Sequence, residues 1–146
     1  MSIDETTIRP YLPADEDAVV DLWGRCGLVV PANNPRADIA RKMAADPEKL
    51  LVAVDHGGVV GTVMAGYDGH RGWINYLAVD PPLRRRGIGT ALMAAAEEAL
   101  RRAGCPKINL QVRASNAAVI AFYERMGFAT ETVVNMGKRL VDDGPH

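Results

Sequence analysis

Residues 73–90 read WINYLAVDPPLRRRGIGT, and the order of elements in the chain is clearest here. The apolar run Trp73–Val79 predicts a strand, and Asp80-Pro81-Pro82 ends it because proline cannot donate to a sheet ladder. Apolar residues then recur at helical spacing across Gly87–Ala103, which predicts a long helix that stops at Gly104. A strand therefore passes through a short basic turn directly into the start of a helix.

The basic turn and the helix start together predict an anion-binding site. The first turn of a helix leaves about four backbone N–H groups without partners, and the helix dipole adds about half a positive charge. Glycines let an anion approach the backbone closely, and guanidinium groups suit phosphate geometry. We expect a phosphate or pyrophosphate to bind at Arg84, Arg85, Arg86, Gly87, Ile88, Gly89 and Thr90. The alternative is a solvated loop whose glycines only relieve crowding.

Outward from this stretch, apolar periodicity and turn residues predict the remaining elements. The predicted strands are Thr7–Tyr11, Leu50–Asp55, Val59–Tyr67, Trp73–Val79, Lys107–Val112, Thr130–Val134 and Asn135–Leu140. The predicted helices begin at Asp15, Pro35, Gly87 and Asn116, and end at Gly27, Ala45, Ala103 and Met126. A meander followed by a strand–helix–strand crossover implies an α+β fold: a mixed, mostly antiparallel sheet of six to seven strands flanked by four helices.

Length and composition indicate one ordinary globular domain. The chain has 146 residues, of which 48% are hydrophobic and 24% charged, so we expect a single domain over residues 1–146 with a frayed tail at 142–146. A net charge of -1 and 5% aromatic residues argue against a nucleic-acid partner. The longest apolar run, Ala117–Tyr123, is too short to span a membrane, and the amino terminus has no secretory pattern.

Cysteine and histidine usage predicts a reducing compartment and no metal site. Cys26 and Cys105 are too few for a disulfide framework and too far apart for a zinc site, which favours the cytoplasm. His56, His70 and His146 are scattered singly, and no two of them share ligand spacing on one element.

Two motifs in the chain resemble the signatures of one family. The spacing Arg84-x-x-Gly87-x-Gly89 is similar to the acetyl-coenzyme A (acetyl-CoA) signature of the GNAT N-acetyltransferase superfamily. Downstream, Asn116, Phe122-Tyr123-Glu124 and Gly127-Phe128 resemble its second signature. Residues 60–64, 66–72 and 104–108 also resemble the YpeA-type branch of bacterial GNAT proteins. The resemblance covers nearly the whole chain and implies the GNAT fold, in which the fourth strand splays from the fifth.

The resemblance implies that acetyl-CoA is the cosubstrate. The backbone at Leu77, Ala78 and Val79 would pair with the pantetheine arm, and the turn Arg84–Thr90 would wrap the pyrophosphate. Leu77 and Val79 also read as plain core strand residues. The family often has glycine where Arg85 stands, and arginine disfavours positive φ, so we expect a turn conformation open to non-glycine residues.

Two residues on the last helix take further roles from the resemblance. Asn116 would contact the cofactor arm, and Tyr123 would protonate the departing thiolate. Each has a plainer alternative, because Asn116 reads as a helix N-cap and Tyr123 as a buried packing residue.

The implied reaction is direct attack of a neutral amine on the thioester in a ternary complex, with the Val79 N–H as oxyanion donor. Many relatives place a glutamate on the fourth or fifth strand as general base, but Trp73–Val79 and Lys107–Val112 contain no acidic residue. Asp68 and His70 are weak candidates that also read as ordinary turn residues. A site without a strong base favours amines of low pKa.

The resemblance implies that the acceptor is a small-molecule amine or a peptide N-terminus. We expect its pocket between the first two helices, their connection Gly27–Pro35 and the turn Asp68–Gly72. Three functions stay open: a small-molecule amine acetyltransferase, a protein N-terminal acetyltransferase of the ribosomal-protein kind, and a non-catalytic acetyl-CoA sensor. The presence of Tyr123 weighs against the sensor. A homodimer also stays open.

Overall fold

One mixed sheet organises the computed structural model, which describes residues 6–144. Within that range five strands lie side by side in chain order. They are β1 (Thr7–Pro10), β2 (Leu50–Asp55), β3 (Gly58–Tyr67), β4 (Gly72–Val79) and β5 (Ile108–Leu110). The first four pair antiparallel, and β5 pairs parallel to β4 because the chain crosses over the sheet between them.

In the described part of the chain four α-helices flank the sheet, as the sequence predicted, with ends within a residue or two of the expected positions. They are α1 (Glu16–Arg25), α2 (Pro35–Ala45), α3 (Ile88–Arg102) and α4 (Ala117–Arg125). Asparagine side chains cap α2 and α4: Asn34 accepts a hydrogen bond from the Ala37 N–H at 3.1 Å, and Asn116 accepts one from Val119 at 3.3 Å. No helix within residues 6–144 is long and apolar enough to cross a membrane.

The sheet separates two hydrophobic cores. Leu51 and Ala53 of β2 face the core beneath α3 and α4, whereas their neighbours Leu50 and Val52 face the core beneath α1 and α2. Both faces of the central strands are covered, which explains why β2 and β3 read as nearly continuous apolar runs.

The C-terminal part of the sheet prediction is wrong. Residues 130–134 and 135–140, expected as a terminal pair of strands, form no strand, so the described sheet has five strands instead of six to seven. The two predicted runs adjoin directly and leave no residues for the two-to-five-residue loop that a hairpin needs. Glu131 instead ties the segment to β5 through Lys107 and Asn109, and Val133, Val134 and Met136 are exposed.

The strand β5 is also shorter than the predicted range Lys107–Val112. The α+β class holds despite both differences. The fraying expected of residues 142–146 stays a prediction, and residues 145–146, like residues 1–5, lie outside the described part of the chain.

A β-bulge in β4 sets the geometry of the region that the sequence singled out. Thr62 pairs with Ala78, but Met64 pairs with Asn75. Two residues of β4, Tyr76 and Leu77, therefore lie opposite the single residue Val63 of β3. Tyr76 adopts φ +51°, in the left-handed region that non-glycine residues seldom use. The extra residue shifts the alternation of side chains for the rest of the strand.

The bulge is held by a buried hydroxyl. Thr62 donates a hydrogen bond to the Tyr76 carbonyl and accepts one from the Trp23 indole N–H, both at 2.8 Å. The rings of Trp23 and Tyr76 stack with centroids 3.7 Å apart and planes 12° from parallel. Both Thr62 and Trp23 are fully buried, so no water can replace these bonds.

Replacing Thr62 by the isosteric valine is therefore expected to destabilise the fold by about 2 kcal/mol, because a buried indole N–H and a backbone carbonyl lose their partner. Thr62→Ser, which keeps the hydroxyl and loses only a methyl group, is the control and is expected to lose about half as much. Chemical denaturation of the three proteins measures the difference. Equal losses in the serine and valine variants would show that the hydroxyl does not hold the bulge.

Candidate active site

A gap opens in the sheet where β4 and β5 part. Their parallel pairing covers only three residue pairs and ends at Ile74 and Leu110. Beyond that point β4 continues to Val79, still paired with β3 but with no described strand on its other side. An exposed strand edge of this kind can accept an extended chain through main-chain hydrogen bonds.

Backbone direction shows which groups of β4 face the gap. Asp80 donates its N–H to the Val60 carbonyl on β3 at 2.8 Å. Backbone groups of successive strand residues point to opposite edges, so those of Val79 and Leu77 point away from β3 and towards the gap. The Val79 carbonyl accepts hydrogen bonds from Arg84 Nε at 3.2 Å and from the Cys26 thiol at 3.4 Å.

The gap ends at the basic turn, which has the shape that an anion site needs. Arg84, Arg85 and Arg86 are all exposed, and α3 begins directly after Gly87, which has φ +84°. The first turn of α3 contains no acidic residue, in contrast to α1 and α2. The positive end of the α3 dipole is therefore not offset by the protein's own carboxylates in that turn.

The expectation for Arg85 is wrong. Arg85 adopts φ +67°, the left-handed conformation that the sequence argument treated as disfavoured for arginine. Left-handed residues in a turn gather backbone N–H groups into a concave arrangement that binds anions, and local strain is tolerated at such sites. Ile88, also predicted in this site, buries its side chain in the core, so only its backbone faces the turn.

Three elements converge at Gly89, the second residue of α3. A Cβ atom at this position would lie 3.5 Å from Phe122 Cζ on α4 and 3.6 Å from Val79 Cγ2 on β4. The end of β4, the basic turn (residues 84–90, called the anion turn below) and α4 therefore meet at one point. Val79, Gly89 and Phe122, which belong to separate predicted motifs, are brought together there.

Tyr123 lies on the inner side of α4, seven residues after Asn116. It is 8% exposed and makes edge-to-face contacts with Phe122 and Phe128 at centroid distances of 5.1 and 5.6 Å. Burial raises the pKa of Tyr123 to about 12, so the phenol is protonated throughout the neutral range. Its position suits packing, and its protonation state suits a proton donor.

A second cavity, of about 610 Å³, opens on the opposite face of the sheet, beneath α1 and α2. It is lined by Leu28, Asn33, Asp38, Arg41, Lys42, Met64, Asn75 and Tyr76. The predicted connection between the first two helices contributes two of these residues, but the turn Asp68–Gly72 contributes none. Asp68 instead accepts hydrogen bonds from the His70 and Arg71 N–H groups, the usual task of a turn aspartate.

Sequence reasoning missed the polar pair at the centre of this cavity. The Tyr76 hydroxyl donates a 2.6 Å hydrogen bond to Asp38 Oδ2, and Arg41 donates to Asp38 Oδ1 at 3.2 Å. Burial and the neighbouring Asp38 carboxylate raise the pKa of Tyr76. Asp38 and Tyr76 are 38 residues apart, and no local pattern predicts their contact.

Comparison with known proteins identifies the family. The sequence model described as "Acetyltransferase (GNAT) family" matches residues 16–128, most of the chain. The chain belongs to the GNAT acetyltransferase family. An acetyltransferase from Pectobacterium atrosepticum is similar to this GNAT protein, with 48% identity over 136 residues that cover 93% of this chain and 96% of the relative.

Solved structures support the same assignment. The Ard1 protein of Thermoplasma volcanium superimposes on this GNAT enzyme with a TM-score of 0.75 at 28% identity, covering 88% of this chain and 85% of that one. The ribosomal-protein-S18-alanine N-acetyltransferase of Escherichia coli does so with a TM-score of 0.73 at 26% identity, covering 87% and 79%. The predicted family, fold class and enzyme class are thereby confirmed.

The raised pKa of Tyr123 predicts how this GNAT enzyme loses stability in alkali. An unfolded tyrosine ionises near pH 10, whereas buried Tyr123 stays protonated to about 12. Its contribution is fully present below pH 10 and is lost as the pH rises towards 12. Between pH 8 and pH 11, wild type is expected to lose about 1 kcal/mol more stability than Tyr123→Phe in urea denaturation. Equal losses would contradict the burial of the hydroxyl.

Proposed function

We propose that this enzyme transfers the acetyl group of acetyl-CoA to a primary amine by direct attack within a ternary complex. The observation that carries the proposal is the gap between β4 and β5, whose β4 side ends beside Gly89 and Phe122, the neighbour of Tyr123 on α4. A cosubstrate with a long polar arm and a pyrophosphate fits these features in that order.

Each end of the cosubstrate has a proposed set of contacts. The pantetheine arm lies along β4 as an added strand and pairs with the backbone of Leu77 and Val79, whose polar groups face the gap. The pyrophosphate lies against the turn 84–90, where N–H groups, the α3 dipole and three guanidinium groups meet. Asn116 contacts the arm from the start of α4, where its side-chain carbonyl already caps the helix.

The proposed chemistry places the thioester at the end of β4. The neutral amine attacks the carbonyl carbon, the Val79 N–H stabilises the developing oxyanion, and the carbon–sulfur bond breaks. Tyr123 donates its proton to the departing thiolate, and the proton released by the amine restores the phenol through solvent. Holding both reactants at one point can itself contribute several kcal/mol to catalysis.

The acceptor in this proposal is an amine of low pKa. The strands β4 and β5 carry no carboxylate that could serve as general base. An α-amine near pKa 7.8 is roughly 14% neutral at pH 7, whereas a lysine amine near 10.4 is only about 0.04% neutral. An α-amine therefore presents a reactive fraction without a strong base.

Protein N-terminal acetylation is the second candidate, because it too uses an α-amine. The structural likeness to the ribosomal-protein-S18-alanine N-acetyltransferase favours it. The cavity of about 610 Å³ beside α2 has the volume of a small-molecule site, which favours a small acceptor.

The anion turn is tested by Gly89→Ala. The added Cβ meets neighbouring side chains only at ordinary contact distance, and alanine favours a helix over glycine by about 1 kcal/mol, so the fold is expected to persist. A methyl group at the floor of the turn is expected to weaken acetyl-CoA binding at least tenfold in a calorimetric titration. Gly24→Ala on α1, with no heavy atom within 4 Å of its Cβ, is the matched control. Unchanged affinity in folded Gly89→Ala would remove the pyrophosphate from this turn.

The proton donor is tested by Tyr123→Phe at neutral pH. Loss of the hydroxyl is expected to lower kcat by 10²–10⁴-fold, the usual range for a positioned general acid, while acetyl-CoA affinity stays within about twofold. Tyr67→Phe, which removes a hydroxyl bonded to the Gly69 carbonyl, is the control. A packing tyrosine predicts the opposite pattern, with a lowered melting temperature and a kcat that falls by less than about threefold.

A further inference from the structure

A carboxylate of the protein itself, that of Asp143, is bound to Arg41 on the wall of the cavity that also contains Asp38 and Tyr76. Asp143, near the C-terminus, has a side chain that is 9% exposed. Both of its oxygens accept hydrogen bonds from Arg41, at 2.6 Å from Nη2 and 2.8 Å from Nη1. This is the bidentate geometry with which a guanidinium group recognises a carboxylate.

The position of Asp143 relative to the cavity follows from its neighbours. Arg41 is part of the cavity wall, and the negative charge of Asp143 helps to raise the pKa of Tyr76, which lines the same cavity. The preceding stretch is held at the rim, where Arg139 donates a hydrogen bond to the Asn33 side chain at 3.1 Å. Residues 139 and 143 thus contact the cavity wall at two points, Asn33 and Arg41.

Arg41 joins this carboxylate to a second one. Its Nη1 atom donates both to Asp143 Oδ2 at 2.8 Å and to Asp38 Oδ1 at 3.2 Å. Any carboxylate that takes the place of Asp143 therefore shares the Arg41 Nη1 donor with Asp38. A carboxylate oxygen pair has about four lone-pair sites, and two of those on Asp38 serve Arg41 and Tyr76. Asp38 can still accept from an ammonium group.

We propose that the acceptor is a small α-amino acid, whose carboxylate replaces that of Asp143 on Arg41 while its amine lies beside Asp38. The spacing of the two sites on one guanidinium group matches the two polar groups of an α-amino acid, which are separated by a single carbon. This assignment rests on the proposed acetyltransferase function and names the substrate class of the same site.

The C-terminal segment acts in this proposal as an internal competitor. The Arg41 side chain is 52% exposed, so a substrate carboxylate can reach it from solvent and compete with Asp143 for the same two nitrogens. Arg41 determines the preference for substrates with a carboxylate, and competition from Asp143 raises their KM.

The experiment compares a panel of α-amino acids with their α-amides by thiol release from acetyl-CoA. The pairs share the α-amine and the side chain and differ in the carboxylate. We expect wild type to prefer the acids by at least tenfold in kcat/KM, and Arg41→Met to abolish that preference while its acetyl-CoA affinity, measured by calorimetry, stays unchanged. Arg41→Lys keeps the charge without the bidentate fork and is expected to fall between them. Arg36→Gln, on the same helix but paired with Glu16 and Asp17 away from the cavity, is the control.

The competitor is tested with Asp143→Asn. Loss of its charge is expected to lower KM for the acids several-fold and to leave the amides unaffected, whereas Asp142→Asn changes neither. Amides, N-terminal peptides or phosphoethanolamine acetylated as well as the acids would overturn the proposal. So would an acid preference that survives in Arg41→Met, or a wild type that binds acetyl-CoA but acetylates no acid. Failure to bind acetyl-CoA would instead overturn the acetyltransferase function itself.

Discussion

A single buried hydroxyl, that of Thr62, fixes the strand on which both halves of the site depend. Without an extra residue in β4, alternation would place Ile74, Tyr76 and Ala78 on one face of the sheet. The bulge shifts the phase, so that Ile74 and Leu77 pack beneath α3 and α4 while Tyr76 and Ala78 pack beneath α1 and α2. The hydroxyl supplies the Tyr76 carbonyl with the partner that the interrupted ladder no longer offers.

Two residues near the site adopt the left-handed backbone conformation. Tyr76 at φ +51° and Arg85 at φ +67° each adopt a conformation that costs of order 1–3 kcal/mol for a non-glycine side chain. Each is held by its surroundings, Tyr76 by stacking on Trp23 and Arg85 by the turn between β4 and α3. Strain lies at both ends of the segment that lines the gap, and the described strands β1 and β2 on the far side of the sheet show none.

How much of this could be predicted from the sequence depended on the range of the interaction. The cap at Asn34, the stop at Gly104 and the helix start at Gly87 are local, and each prediction is confirmed within a residue or two. The motif spacing also indicated the family. The bulge at Tyr76 depends on Thr62, fourteen positions away, and Asp38 contacts Tyr76 across thirty-eight. Neither contact leaves a periodic signal in the chain.

The two wrong predictions have the same origin. An apolar, β-branched run such as 130–134 fits a pleated surface, but strand formation also requires a partner edge and a turn that delivers it. The segment instead continues past β5 towards the far face of the sheet, where Arg139 and Asp143 contact Asn33 and Arg41 on the wall of the cavity there. Arg85 likewise adopts a φ that arginine disfavours, because the turn between β4 and α3 fixes its backbone.

The sheet itself explains why the gap has to exist. The anion turn and Tyr123 lie on the face covered by α3 and α4, whereas Asp38 and Arg41 lie on the face covered by α1 and α2. A continuous five-stranded ladder would separate these groups by a layer of hydrogen-bonded backbone. Because β5 leaves β4 after Ile74, the last residues of β4 are the part of the sheet at which groups from both faces can approach one another. In the proposed reaction the amine and the thioester meet at this opening. The bulge directs the Tyr76 side chain towards the amine and the Val79 backbone towards the thioester.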